Sequence, residues 1–76
     1  MNMQNAGQVI KNKRLEKGLS QEVISGFADL NRSHYSAIEN GKKIIRLDTF
    51  LKLAAALDVN PPELLDSMIK YDEEHS

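Results

Sequence analysis

Gln21-Glu22-Val23-Ile24-Ser25-Gly26-Phe27-Ala28-Asp29-Leu30-Asn31-Arg32-Ser33-His34-Tyr35-Ser36-Ala37-Ile38-Glu39-Asn40 is the stretch on which the fold turns. It reads as two short helices separated only by the few residues around Asp29-Leu30-Asn31. Ser20 offers a side-chain oxygen as N-cap to the first, which extends to about Ala28. Asn31 does the same for the second, which ends at Glu39 or Asn40 before Gly41. Helices joined by so brief a turn cross steeply, and one end of the second then projects from the domain. At about 100° per residue, Tyr35 and Ile38 point one way, with Asn31, His34 and Glu39 beside them. Ser33 and Ala37 point the other way, flanked by Ser36 and Asn40, with Arg32 at the N-terminal shoulder. A face this small and polar can approach another surface closely, and the major groove of DNA admits such a helix.

Outward from this pair, every long segment reads helical and nothing alternates with period two. A first helix is expected from about Gln4 to Lys17, stopped by Gly18. A fourth follows the basic stretch Lys42-Lys43-Ile44-Ile45-Arg46. Its Leu47, Phe50, Leu51, Ala54 and Leu57 fall at helical spacing and are expected to form a buried stripe. The fifth opens with Asn60 as cap, Pro61 at the first helical position and Glu63 placed to close a capping box. Leu64/Met68 and Leu65/Ile69 continue its apolar face. Asp72-Glu73-Glu74-His75-Ser76 is expected to be an acidic, frayed tail. The chain thus reads as all-α, a compact five-helix domain spanning 1–76, with the helix-turn-helix at 21–40.

The 76 residues contain no cysteine, which excludes disulfides and thiolate metal sites. No apolar run approaches the roughly 18–20 residues that span a bilayer, so no membrane role and a cytoplasmic location are expected. An enzyme is not expected in so small a chain, which has no phosphate-cradling Gly loop, no metal cluster and no nucleophile–base spacing. Nor is any cofactor or small-molecule ligand. Net charge −1 conceals two unlike halves. Residues 1–46 carry Lys11, Lys13, Arg14, Lys17, Arg32, Lys42, Lys43 and Arg46 against Glu16, Glu22, Asp29 and Glu39, a balance of +4. Residues 47–76 carry Lys52 and Lys70 against seven carboxylates, a balance of −5. A polyanion responds to the field within about one Debye length, ~8 Å at physiological salt, so the front half can face phosphate while the back half faces away.

At Arg14-Leu15-Glu16-Lys17-Gly18-Leu19-Ser20-Gln21, Leu30-Asn31-Arg32-Ser33, Ser36-Ala37-Ile38-Glu39-Asn40-Gly41-Lys42 and Leu51 to Val59, the chain resembles the Cro/repressor-type helix-turn-helix regulators. The resemblance runs from about Gln8 to Leu65 and implies the lambda-repressor-like fold. Val9-Ile10-Lys11, Arg14 to Gly18 and Leu30-Asn31-Arg32 are most similar to restriction–modification controller proteins. Carried over by position, the resemblance implies that Arg32, Ser33, Ser36 and Ala37 face base edges. It implies phosphate contacts from Gln21, Asn31, Asn40, Lys42 and Lys43, and a structural salt bridge between Arg14 and Glu39. Arg46 joins the phosphate set from its place in the basic stretch.

Four positions depart from the family pattern, which has Ala at Ser25, Gly at Asp29, Ile or Val at Tyr35 and often a longer polar residue at Ala37. Asp29 tolerates positive φ, and the Ser25 hydroxyl is expected to bond back to a carbonyl. The Tyr35 ring is large enough to alter the tilt of the third helix. His34 has no second ligand at metal spacing and reads as a surface or half-buried residue.

The expected function is a sequence-specific double-stranded DNA-binding regulator of transcription. It is expected to act as a homodimer on a pseudo-palindromic operator, since one short helix buries too little surface for tight specific binding. Leu65, Met68, Ile69 and Tyr71 are the candidates for the dimer interface. The alternative is an antitoxin or protein-interaction module of the same fold; a pure interaction module needs no positive face, whereas an antitoxin can bind DNA too, and gene context beside a toxin or a methyltransferase discriminates.

Overall fold

Asn2 opens the first helix. Its Oδ1 accepts from the backbone N–H of Gln4 at 2.7 Å and of Asn5 at 3.4 Å, filling two of the donors a helix start leaves unpaired. The computed structural model describes all residues 1–76 and runs α1 from Met3 to Glu16. Ser20 Oγ accepts from Val23 N–H at the start of α2 (Gln21–Phe27), and Asn31 Oδ1 accepts from Ser33 and His34 N–H at the start of α3 (Arg32–Glu39). The remaining helices are α4 (Leu47–Ala56) and α5 (Pro61–His75), and there is no strand.

The helix ends close by one geometry. After α2, Leu30 N–H donates to the Ser25 carbonyl and Asp29 N–H to that of Gly26, with Asp29 left-handed at φ 54°. Gly41 (φ 73°) does the same after α3. A Cβ there would lie 2.6 Å from Gln4 Cα, so both conformation and space demand glycine. The Ser25 hydroxyl donates to the Glu22 carbonyl at 3.0 Å, which lets a polar side chain sit buried in α2.

Helix α1 crosses both α3 and α5, α2 packs on α3, and α4 packs on α5. Ile10, Ile24, Tyr35, Ile38, Leu53, Leu57 and Leu64 are wholly buried where these helices meet. Gly7 permits the closest crossing. A Cβ on it would strike the Ile38 carbonyl oxygen and stand 2.7 Å from that of Glu39, so α1 and the end of α3 touch backbone to backbone.

Several expectations are corrected. In α4 it is Leu53, Ala54 and Leu57 that are buried, with Phe50 half-buried, whereas Leu47 and Leu51 are exposed at 74% and 47%. Apolar residues occupy nearly the whole circumference of this helix, so spacing alone does not choose its inner face. Asn60 stands at the N-cap of α5, but its side chain makes no capping bond and Glu63 closes no box. Pro61 and Pro62 lack N–H groups, so the start of α5 has fewer donors to cap. The segment 72–76 is not a frayed tail, because α5 continues to His75. Asp72 accepts from Asn2 N–H and from Asn5 Nδ2, both at 3.0 Å, and the Tyr71 and His75 rings stack at 3.8 Å. These two hydrogen bonds, aided by the charge of the N-terminus, hold the Asp72 carboxyl below its ordinary pKa.

Candidate nucleic-acid interface

The inner side of α3 is anchored in the core. Tyr35 and Ile38 are buried completely, and Glu39 retains 5% of its surface. Arg14 reaches across from α1 and grips Glu39 with two donors, Nε to Oε2 at 2.6 Å and Nη2 to Oε1 at 3.1 Å, while its Nη1 donates to the Leu19 carbonyl. The Tyr35 hydroxyl donates to Oε2 as well, and Gln21 Nε2 donates to Oε1 at 2.9 Å. No buried side-chain polar atom of the protein lacks a partner. Burial alone would raise the Glu39 carboxyl, but the bonds from Arg14, Tyr35 and Gln21 outweigh it and keep its pKa below the ordinary value. Burial, with Glu39 next to it, pushes the Tyr35 phenol upward.

The family's pattern did not anticipate a hydroxyl here. Tyr35 does not open the core; its ring fills the space and its oxygen adds a third donor to Glu39. The Gln21 side chain is likewise committed inward through its Nε2, rather than standing free for phosphate. Its own backbone N–H, at the start of α2, has no partner within the protein.

The outer side presents the residues expected at base edges. Arg32, Ser33 and Asn31 are exposed, and Ser36 and Ala37 are partly exposed. Gln21, Arg32, Ser33 and Ser36 together line a shallow polar recess at the junction of α2 and α3. Asn31 spends its Oδ1 on the helix cap and keeps its Nδ2 without an intramolecular partner. Asn40 is exposed at the far end of α3. Beyond it a second groove is lined by His34, Lys42, Lys43, Ile44, Arg46 and Thr49. The two ion pairs of the protein are Arg14–Glu39 and Lys70–Asp66, so Arg32, Lys42, Lys43 and Arg46 are all unpaired cations around one helix. Sequence reasoning missed His34 and Thr49 as walls of this groove, since both come into place only when the loop after α3 folds back.

The residues assigned to a dimer contact divide. Leu65 and Ile69 are exposed at 45% and 43%. Tyr71 is half-buried against His75. Met68 has 2% exposure and belongs to the core cluster, so it is withdrawn from that set for want of free surface.

Comparison with known proteins agrees with this geometry. The helix-turn-helix family description matches residues 10–64. The control protein C.BamHI of Bacillus amyloliquefaciens is 41% identical over 61 residues, 79% of this chain and 75% of that protein. The crystal structure of the restriction-modification controller protein C.AhdI from Aeromonas hydrophila superposes with a TM-score of 0.79 at 40% identity, over 82% of this chain and 94% of that one. The controller protein C.Esp1396I, solved as a tetramer on its natural 35 base-pair operator, superposes with a TM-score of 0.86 at 27% identity over 93% of each chain. With an anchored helix of small polar outer face ringed by unpaired cations, a family match over residues 10–64 and control proteins at about 40% identity, the chain belongs to the helix-turn-helix family of DNA-binding regulators, in its group of restriction–modification control proteins.

Proposed function

We propose that this protein regulates transcription as a homodimer that lays α3 of each protomer into the major groove of a pseudo-palindromic operator. The observation that carries the reading is the placement of four unpaired cations, Arg32, Lys42, Lys43 and Arg46, about the exposed edge of a helix whose inner edge is held by a buried ion pair. Arg32, at the start of α3 beside Ser33 and Ser36, supplies a forked donor of the kind that reads guanine O6 and N7. Ser33 and Ser36 donate or accept at base edges, and Ala37 leaves room for a thymine methyl. Asn31, Asn40, Lys42, Lys43, Arg46 and the N–H of Gln21 hold the phosphates that set the register.

The dimer reading is supported by apolar surface that DNA has no use for. An apolar groove lies where α1, α4 and α5 meet, lined by Met3, Ala6, Leu47, Phe50, Leu65 and the nearly buried Met68, and exposed Leu51 and Ile69 lie on α4 and α5. A second copy with the same exposed residues suits a two-fold contact of this kind. Such a dimer sets its half-sites about one helical turn, ~34 Å, apart. Selection on random duplex DNA tests the reading. Recovery of a two-fold symmetric site is expected, and recovery of no consensus would overturn it. Deletion of the Leu65/Ile69 contact should weaken binding through dimer loss alone.

A further inference from the structure

We propose that His34 is itself a DNA-contacting residue and that operator binding takes up a proton on its imidazole. The inference rests on the DNA-binding reading above and adds to it a residue and a regulation. His34 is exposed on α3, on the side turned toward the loop that follows it, where it walls a groove with Lys42, Lys43, Ile44, Arg46 and Thr49. Its backbone N–H is spent on the Asn31 cap, but neither ring nitrogen has a partner within the protein.

The charges around it set the sign. The loop contributes three cations, Lys42, Lys43 and Arg46, none of them in an ion pair, and α4 contributes only the uncharged Thr49. On α3 itself, Arg32 lies in the neighbouring recess, and Glu39 is turned inward to Arg14. No carboxylate lines the groove. In the free protein the groove beside the ring is thus lined by cations that have no counter-charge. A DNA phosphate seated among Lys42, Lys43 and Arg46 reverses that field and favours the imidazolium, which then donates to the phosphate oxygen. Histidine is the side chain type that can gain a charge near neutral pH, so a phosphate beside it can couple binding to protonation. By linkage, a group that binds its proton more tightly in the complex makes the complex tighter as pH falls.

The test uses the whole chain and the duplex recovered by selection, with anisotropy titrations at fixed ionic strength between pH 6 and pH 8. The wild type is expected to bind about three- to tenfold more tightly per protomer at pH 6 than at pH 8. His34→Ala should lose the pH dependence and be the weaker binder at pH 6. His34→Arg, with a permanent charge, should bind tightly at both pH values. His75→Ser should keep the wild-type slope, because His75 stacks on Tyr71 at the far end of α5. Melting curves check that each variant is folded. A wild-type profile that is flat, or a slope that survives His34→Ala, overturns the inference while operator binding stands. A wild type that binds no duplex at any pH overturns the DNA-binding reading and this inference with it.

Discussion

The guanidinium of Arg14 and the carboxylate of Glu39 meet side by side, Nε on Oε2 at 2.6 Å and Nη2 on Oε1 at 3.1 Å, and bind α1 to the last residue of α3. The Tyr35 hydroxyl and Gln21 Nε2 complete the shell around the same carboxylate. Three helices therefore converge on one buried anion, and the angle at which α3 leaves the domain depends on it. Glu39→Ala strands a buried guanidinium and should cost ~3 kcal/mol or more. Arg14→Met in the same chain removes the stranded charge and should recover part of the loss. Thermal melting of the two variants measures both effects, and a Glu39→Ala protein that melts like the wild type would show that Tyr35 and Ile38 alone hold α3.

Acid should attack the same point. The Glu39 carboxyl has its pKa below the ordinary value in the folded chain, so it contributes stability above the unfolded-state pKa and loses it as pH falls through the folded value. Stability should therefore decline below about pH 4.5, where unfolded glutamate begins to take up protons. Glu39→Gln should melt lower than wild type at pH 7, and the gap should narrow toward pH 3. A gap constant with pH would mean that the charge of Glu39 contributes nothing.

Gly7→Ala should destabilise the protein even though alanine is the better helix former by ~1 kcal/mol. The added methyl would collide with the carbonyl oxygens of Ile38 and Glu39, which are backbone atoms at the C-terminal end of α3 and cannot swing aside. An overpacking cost of ~1–3 kcal/mol beyond the helical gain is expected. Gly26→Ala, at an exposed position with open space around it, is the control and should be neutral or stabilising. Chemical denaturation of the pair decides between close approach and mere flexibility at Gly7.

Arg32→Ala and Lys43→Ala should differ in kind. The first removes a donor at the base edge and should relax preference at one base pair of each half-site, by ~1–3 kcal/mol. The second should weaken all duplexes alike and make the salt dependence shallower by about one unit per protomer. Wild-type binding should itself fall steeply with salt, with a log–log slope of roughly −5 to −9 for a dimer neutralising about three to five phosphates per protomer. Competition with single-base variants of the selected site separates the two mutants, and an identical uniform loss in both would contradict their division of labour.

Leu65→Asp and Ile69→Asp should yield folded monomers, since both side chains stand in solvent in the isolated chain. Met68→Ala should instead lower stability by ~2–5 kcal/mol, as expected for an emptied core site. Sedimentation and melting together distinguish these outcomes. Loss of folding in the aspartate variants, rather than loss of association, would place those residues in the core of the protomer.

Features that depend on neighbours along the chain could be read from the residues directly. Asn31 and Ser20 cap the helices they precede, Gly18 and Gly41 turn left-handed, and Asp29 accepts φ 54° in the turn between α2 and α3. All of these are settled within about five residues, where backbone geometry and one side chain decide the conformation. The inward and outward sides of α3 were legible for the same reason, since Tyr35 and Ile38 contrast with Ser33 and Ala37 on a single turn. Features that depend on which helices meet were decided only by packing. Leu47 and Leu51 are as apolar as Leu53, yet of the three only Leu53 is buried, because burial follows the orientation of α4 as a whole against α2 and α5. Met68 and Leu65 likewise part company on α5, one entering the core and the other left in solvent. Gly7 against Glu39, Asp72 against Asn2 and Asn5, and the Tyr35 and Gln21 donors on Glu39 bring together residues from different helices or opposite ends of the chain. Hydrogen bonds and van der Waals contacts act over a few ångströms, so whether such pairs exist is settled by the crossing of helices, which no local pattern encodes.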